Sequence, residues 1–172
     1  MPKENIPHKV VIECLTTALL QLMEKKPFAQ ISISELCQRA GVSRVSFYRN
    51  FSSMEEILLR YLKLRSDEAW DQELAGLSAE ERDAAFWLWL MQLYRKESTL
   101  LLQLQANHLE YLLKDHIFAC CGPTAEHSPE EAYSRAILAG GIYGYVDEWI
   151  RRGMEDAPED LRISKIWEHI NP

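Results

Sequence analysis

The chain has 172 residues, of which 47% are hydrophobic and 26% charged, as in an ordinary globular protein with a substantial core. No apolar run approaches the roughly 20 residues that a helix needs to span a bilayer, and the polar first residues lack the apolar core of a signal peptide. These features exclude an integral membrane protein, and we expect a cytoplasmic one.

The net charge of −7 is distributed unevenly along the chain. Residues 1–65 contain ten Lys and Arg against six Glu, whereas residues 66–172 contain nine Lys and Arg against twenty Asp and Glu. Because basic surface attracts phosphate, this asymmetry indicates that only the first third of the chain meets nucleic acid. The alternative is a chance fluctuation in composition.

The first predicted helix runs from about Pro7 to Glu24 and ends before Pro27, which cannot continue a helix. Its apolar residues recur at the spacing of a single helical face: Val11, Leu15, Ala18, Leu19 and Leu22.

A helix-turn-helix is predicted next, between Ile33 and Phe51. Ser32 and Glu35 have the spacing of a capping box, which marks the start of a second, short helix. Gly41 suits the left-handed residue that ends this helix, and Ser43 suits the N-cap of a third one. Two short helices joined by a turn with a glycine are typical of DNA-binding domains.

The predicted third helix has an inner side, to which Phe47 is assigned, and a polar outer side. Arg side chains suit guanine or phosphate, hydroxyls suit phosphate or single base contacts, and helix N-termini offer free amides to phosphate. The alternative for each residue is a solvated helix face. The predicted DNA contacts are Ser32, Ser43, Arg44, Val45, Ser46, Tyr48, Arg49 and Asn50.

Three helical stretches follow. Ser52 and Ser53 cap a fourth helix that reaches about Leu74 and itself connects the two halves of the chain. A fifth helix, about 78–97, is apolar nearly all round and is therefore expected to be buried. Residues 98–118 are predicted to be helical with a possible break near Asn107.

Two C-terminal helices complete the prediction. Ser128 caps a helix that begins with Pro129 and reaches about Arg152, and a last helix runs from Ala157 to about Ile170. Interior glycines cost about 1 kcal/mol each against alanine, so we predict that another backbone approaches them closely. Those in the first of these two helices are Gly140, Gly141 and Gly144.

Aromatic residues are concentrated in the C-terminal part, where they indicate either a ligand cavity or an ordinary core. The predicted cavity residues are Trp87, Tyr94, Tyr111, Phe118 and Tyr133, with Trp70, Phe86 and Trp89 as further candidates.

Nothing in the sequence indicates catalysis. Neither the histidines nor the cysteines have metal-ligand spacing, and no Ser/His/Asp set or phosphate-binding loop is present. We expect no enzyme activity, no metal and no cofactor. Reduced thiols are expected, with a thiol or metal sensor at the adjacent Cys120 and Cys121 as the minor alternative.

The segment Ala40–Phe51, A-G-V-S-R-V-S-F-Y-R-N-F, resembles the DNA-binding signature of TetR/AcrR-type transcriptional regulators, and the resemblance covers about residues 8–65. Residues 139–161 resemble a short-chain subgroup that includes regulators of dihydroxyacetone-kinase operons. Met54 departs from the family, whose members usually carry a phosphate-directed Lys at this position, and Val45 stands where glycine or serine is common.

The resemblance implies an all-α protein with a DNA-binding domain at 1–52 and a regulatory and dimerisation domain at 53–172. It implies a homodimer on double-stranded operator DNA, an effector of small-molecule or protein nature, and repression as the default. Activation, co-activation or a protein-interaction module without operator binding are the alternatives. The residues assigned to the dimer interface are Gly140, Tyr143, Gly144, Trp149, Ile163 and Trp167.

Overall fold

The computed structural model describes residues 8–161, and within that range the chain is α-helical without a strand. A single turn of 3₁₀ helix, Phe28–Gln30, follows the first helix. The α-helices are α1 His8–Met23, α2 Ile33–Ala40, α3 Arg44–Asn50, α4 Met54–Glu73, α5 Ala79–Lys96, α6 Ser98–Ala106, α7 Glu110–Cys121 and α8 Pro129–Arg151.

The predicted helix starts are confirmed by local hydrogen bonds. Ser53, Ser78 and Ser128 each accept a hydrogen bond from the amide three residues later, which satisfies one of the free donors at a helix start. Glu81 and Glu131 return the bond to their caps and complete two capping boxes.

The start of α2 differs in one respect from the prediction. Ser32 accepts from the amide of Glu35, but the Glu35 carboxylate pairs with Lys26 Nζ at 2.5 Å instead of reaching back to the cap. This ion pair holds the pKa of Glu35 below its usual value. The predicted return bond from Glu35 to the cap is therefore replaced by an ion pair with Lys26, which follows α1.

The helices α1, α2 and α3 pack around one cluster of fully buried side chains. Leu15 and Leu19 of α1, Leu36 of α2 and Phe47 of α3 have no exposed surface. Burial of this size stabilises by about 1.5–3 kcal/mol for each large side chain. The short α3 therefore owes its position to tertiary packing rather than to its own helix propensity.

Helix α4 joins the N-terminal helices to the rest of the protein. It packs on α1 on one side and on α7 and α5 on the other, and its Ile57 and Leu58 are completely buried. Since one continuous cluster of buried side chains extends from α1 through α4 to α8, the division at residue 52 stays a prediction.

Three polar contacts also connect the N-terminal helices, α4 and the body of the protein. The amide of Phe28 donates to Asn107 Oδ1 at 2.8 Å, at the break between α6 and α7 that the sequence predicts. On α4, the Arg65 guanidinium bonds the nearly buried Glu97 carboxylate at 2.6 Å, while Glu68 pairs with Lys9 of α1. The N-terminal helices are thus hydrogen-bonded to the body as well as packed on it.

The predicted burial of α5 is only partly correct. Leu90, Met91 and Leu93 are buried, but Leu88 is 40% exposed and the first two turns of the helix lie largely at the surface. The first half of α5 is covered by other helices on one side only. An apolar side chain becomes buried only where another element packs on it, so apolar composition alone did not predict the exposed side.

The region after α8 ends the described part of the chain. Gly153 takes a left-handed backbone with φ 72°, residues 158–160 form a turn, and no further helix is seen up to Leu161. The remainder of the predicted last helix, with Ile163, Trp167 and Ile170, lies outside the described residues.

Candidate nucleic-acid interface and C-terminal cavity

The turn and caps around α3 place it as the second helix of a helix-turn-helix. Gly41 has φ 67°, a left-handed conformation that glycine adopts without the steric penalty of a side chain. Ser43 then caps α3 by accepting from the amide of Ser46 at 3.0 Å. Phe47 and Phe51 anchor the helix below, with ring centroids 5.9 Å apart.

The opposite side of α3 is open to solvent. Tyr48 is 55% exposed and Val45 is 67% exposed, while the side chains of Arg44 and Arg49 are also at the surface. The Arg44 guanidinium lies 6.0 Å from the centre of the Tyr48 ring, a cation–π distance. Two positive charges, one hydroxyl and one apolar side chain therefore share an exposed helix that carries no acidic residue.

The predicted DNA-contacting residues do not all have the same environment. Ser32 and Ser43 are exposed at the starts of α2 and α3, and Val45 lies outside rather than in the core. Ser46 is half-buried, and the Asn50 amide donates to the Ser46 carbonyl at 2.7 Å. Asn50 thus has a partner within its own helix, and contact of any of these residues with DNA stays a prediction.

Sequence reasoning left out one basic side chain near the turn. Arg39 is exposed in the last turn of α2, two residues before Gly41, and its Nε donates to Gln21 Oε1 of α1 at 2.9 Å. The cation at the end of a short helix beside a turn glycine was the available signal. Arg39 adds a third positive charge to the elements that flank the turn.

The start of α4 is occupied by its own carboxylate. Glu56 accepts from the Ser52 amide at 2.6 Å and from the Ser52 hydroxyl at 2.7 Å, which lowers the pKa of Glu56. Met54, the first residue of α4, is half-buried against the core. The N-terminus of α4 therefore offers phosphate less than the starts of α2 and α3 do.

A partly open cavity of about 1320 Å³ lies in the C-terminal part, between α4, α5, α7 and α8. Its aromatic wall consists of Trp70, Phe86, Trp89 and Tyr94. The Trp89 ring stands at 82° to Trp70 with centroids 5.8 Å apart and lies 5.7 Å from Phe86, so three of these rings form one contiguous surface.

Of the five predicted cavity residues, Tyr94 lines this space and the other four do not. Tyr111 and Tyr133 are 47% and 74% exposed, and Phe118 is half-buried under Lys114. Trp87 points to another part of the protein, where its indole donates to the Leu161 carbonyl at 2.5 Å and its ring stands against Tyr145. The further candidates Trp70, Phe86 and Trp89 do line the cavity.

One corner of the cavity is polar. Ser66 Oγ of α4 and His116 Nε2 of α7 are 2.9 Å apart, and Cys120 Sγ lies 3.8 Å from the same imidazole. His116 is 5% exposed, and burial lowers its pKa to about 4, so the ring is neutral. Desolvation raises the pKa of the Cys120 thiol, which disfavours the thiolate that a reactive sensor requires.

The residues assigned to a dimer interface are distributed over different faces of α8. Trp149 is 2% exposed, donates to the Asp156 carbonyl at 3.1 Å and lies under the Arg95 guanidinium, so its side chain packs within its own chain. Tyr143 is half-buried. A Cβ atom at Gly140 or Gly144 would meet no atom within 4 Å among residues 8–161, so no other backbone of this part of the chain approaches these glycines closely.

One exposed stripe of α8 is apolar in the middle of the helix. Ile137 is 76% exposed and Tyr133, one turn before it, is 74% exposed, while Gly141 and Gly144 continue the same face. Ile163 and Trp167 lie outside the described residues.

Comparison with known proteins places the N-terminal helices in a defined class. Residues 15–61, from the middle of α1 to α4, match the model of bacterial regulatory proteins of the tetR family. This segment is a TetR-type helix-turn-helix DNA-binding domain, as its turn, caps and exposed α3 also indicate.

The curated relatives agree for the same part of the chain. The HTH-type transcriptional regulator EthR of Mycolicibacterium smegmatis is 36% identical over 67 residues, which cover 37% of this chain and 31% of that protein. EthR of Mycobacterium tuberculosis strain H37Rv is 39% identical over 62 residues, which cover 36% of this chain and 28% of that protein. The match thus spans about a third of the length of these relatives. Within the described residues, no helix is long and apolar enough to cross a membrane.

Proposed function

We propose that the protein is a sequence-specific DNA-binding transcriptional regulator, acting as a repressor. The observation that carries the proposal is the exposed, positively charged face of α3 inside a segment that matches the tetR family model. The first third of the chain is also basic against an acidic remainder, which directs phosphate to the same end of the molecule.

The proposed contacts follow from side-chain chemistry. A recognition helix enters the major groove, where Arg44 or Arg49 would take guanine in a bidentate hydrogen bond or bind phosphate. Exposed Val45 suits the methyl group of thymine, and the Tyr48 hydroxyl suits a phosphate oxygen. Ser32 and Ser43 would present the amides of two helix starts to the backbone.

A homodimer is part of the proposal, because one α3 reads only half of a site. The apolar stripe of α8, with Ile137, Gly141 and Gly144, supports a second copy at this face, since small residues allow two helices to approach closely. Two reading helices would then fall about 34–36 Å apart on a pseudo-palindromic operator. Ile163 and Trp167, which lie outside the described residues, stay predicted members of the interface.

The effector of this regulator would bind in the cavity between α4, α5, α7 and α8. Ligand sites lie mostly in partly apolar clefts with a few polar groups, as this one does. An effector changes operator affinity only by its difference in affinity between two states, typically 1–3 kcal/mol. Since α4 forms one wall and also packs on α1, it is the element through which the two sites would communicate.

We further propose a division of the chain into two domains and a subgroup for its C-terminal region. The division into a reading domain at 1–52 and a regulatory domain at 53–172 is supported by the packing of α2 on α1 and α3, and of α6 on α5, α7 and α8. The relation of the C-terminal region to regulators of dihydroxyacetone-kinase operons is supported by the sequence of 139–161.

A second candidate function is a protein-interaction module without operator binding. The observation that favours it is the start of α4, where Met54 and the Glu56 carboxylate occupy the position of a phosphate contact. Activation or co-activation through a protein partner would use the same fold.

The decisive experiment is capture of genomic fragments by the purified full chain, followed by fluorescence anisotropy on the recovered fragments. Arg49→Ala should weaken specific binding by about fivefold to 150-fold, because truncation of one good base contact costs about 1–3 kcal/mol. Arg152→Ala, which removes an exposed arginine at the C-terminal end of α8, is the matched control and should change affinity little. Failure to bind any fragment above competitor DNA at low salt would favour the interaction module.

A further inference from the structure

The aromatic wall of the cavity sets the shape of a bound molecule. Trp70, Phe86 and Trp89 present adjoining ring surfaces, and Leu90 and Ile142 add aliphatic surface on neighbouring helices. Aromatic rings prefer edge-to-face or offset contacts with other rings, each worth about 0.5–1.5 kcal/mol beyond area burial. This wall therefore favours a flat aromatic molecule over a branched aliphatic one.

The polar corner sets the number and kind of hydrogen-bonding groups. Ser66 and His116 face each other at 2.9 Å across α4 and α7, and both line the cavity. A neutral imidazole has one donor and one acceptor nitrogen, and a hydroxyl both donates and accepts. The pair therefore matches a ligand group that also does both, such as a hydroxyl.

The charges of the lining balance one another. Lys63 pairs with Asp67 at 2.8 Å within α4, and Arg60 pairs with Glu56 at 2.6 Å. The lining as a whole contains three cations and three anions: Arg60, Lys63 and Arg135 against Asp67, Asp83 and Asp115. A charged ligand would lose hydration in this cavity without meeting a surplus of opposite charge.

We propose that the cavity binds a small, uncharged aromatic molecule with a hydroxyl group, whose ring lies on the Trp70–Phe86–Trp89 wall and whose hydroxyl bonds the Ser66–His116 corner. This inference rests on the proposed function, since it gives the chemical class of the effector. Ser66 and Trp70 are one turn apart on α4, so both ends of the ligand touch the helix that also supports the reading domain.

The test uses four naphthalene probes of one shape on the full chain. They are 2-naphthol, the uncharged hydroxyl probe; 2-naphthoate, the anion; 2-naphthylmethylammonium, the cation; and naphthalene, which has no polar group. Binding is followed at neutral pH by quenching of tryptophan fluorescence, to which Trp70 and Trp89 contribute, and by calorimetry. We expect 2-naphthol to bind at least tenfold more tightly than either charged probe.

Variants locate the hydroxyl contact. His116→Phe keeps the size and apolar surface of the ring but removes its hydrogen bonds, so 2-naphthol should bind no better than naphthalene. Ser66→Ala, which leaves His116 in place, should also reduce the preference and covers the case in which His116→Phe does not fold. His127→Phe, in the loop before α8, is the matched control and should leave all four affinities unchanged.

Several results would overturn the inference: a charged probe that binds as well as 2-naphthol, no saturable binding of any probe, or an unchanged preference for 2-naphthol in both cavity variants. Operator binding of the same preparation separates this outcome from failure of the proposed function. Intact DNA binding without naphthol selectivity rejects only the ligand class, whereas naphthol selectivity without DNA binding rejects the regulator.

Discussion

Replacement of His116 by glutamine tests how the cavity corner is built. The imidazole is neutral because burial lowers its pKa to about 4, well below the ordinary value of 6.5. Lys63 lowers this pKa further and Asp67 opposes it, while the Cys120 thiol is the other group beside the ring. His116→Gln keeps a hydrogen-bonding side chain next to Ser66 but has no proton to gain.

The sign and size of the effect follow from proton linkage. Between about pH 6.5 and 4, the unfolded chain binds a proton at His116 that the folded chain does not, so acidification favours unfolding. Each pH unit in this window costs about 1.4 kcal/mol, and the free energy of unfolding therefore falls by about 2 kcal/mol at pH 5. Above about pH 6.5, His116 is neutral in both states, so it does not change the free energy of unfolding with pH.

Urea unfolding followed by circular dichroism measures this difference. Wild type and His116→Gln are compared at about pH 7.5 and 5, at one protein concentration, because the proposed dimer would make stability depend on concentration. The other titrating groups are common to both proteins and cancel in the difference. Equal losses of stability in the two proteins would refute the buried, neutral imidazole.

Three further variants test the proposed interfaces. Gly144→Leu should weaken dimerisation without loss of helix content, as judged by sedimentation, whereas Gly76→Leu, at an exposed glycine between α4 and α5, should not. Asn107→Leu should accelerate hydrogen exchange at the Phe28 amide and lower the free energy of unfolding by about 1–3 kcal/mol. Asn107→Asp keeps the acceptor oxygen and should protect this amide, so equal exchange in the two variants would contradict the contact. Ser43→Ala should lower stability by about 1 kcal/mol and weaken DNA binding, and an unchanged thermal midpoint would exclude its role as a cap.

The helix boundaries were predictable because they depend on neighbours in sequence. A serine three residues before a glutamate, as at Ser78 and Ser128, satisfies helix-start amides without help from the rest of the fold. Gly41 is similar, since its left-handed backbone is a local requirement of the turn. Local chemistry of this kind accounts for the confirmed all-α fold and for the position of the helix-turn-helix.

The sides of the helices were less predictable, because many of them carry apolar residues on more than one face. In α5, Trp87 and Trp89 lie on different sides of the helix, so only Trp89 reaches the cavity. The orientation of a helix about its own axis depends on which other helices pack on it.

The distinction matters most for α8 and the cavity. The sequence indicated that the glycines and aromatic residues of α8 take part in packing, but not on which side. In the structure, the Trp149 side chain is buried within its own chain, whereas Ile137 is exposed to solvent. Likewise, Ser66 and His116 are fifty residues apart in the chain and become neighbours only when α4 packs on α7. Caps and turns depend on residues that are close in sequence, and the charge distribution is a property of the sequence itself, so these features were predictable. A binding corner built from distant helices forms only when those helices pack together.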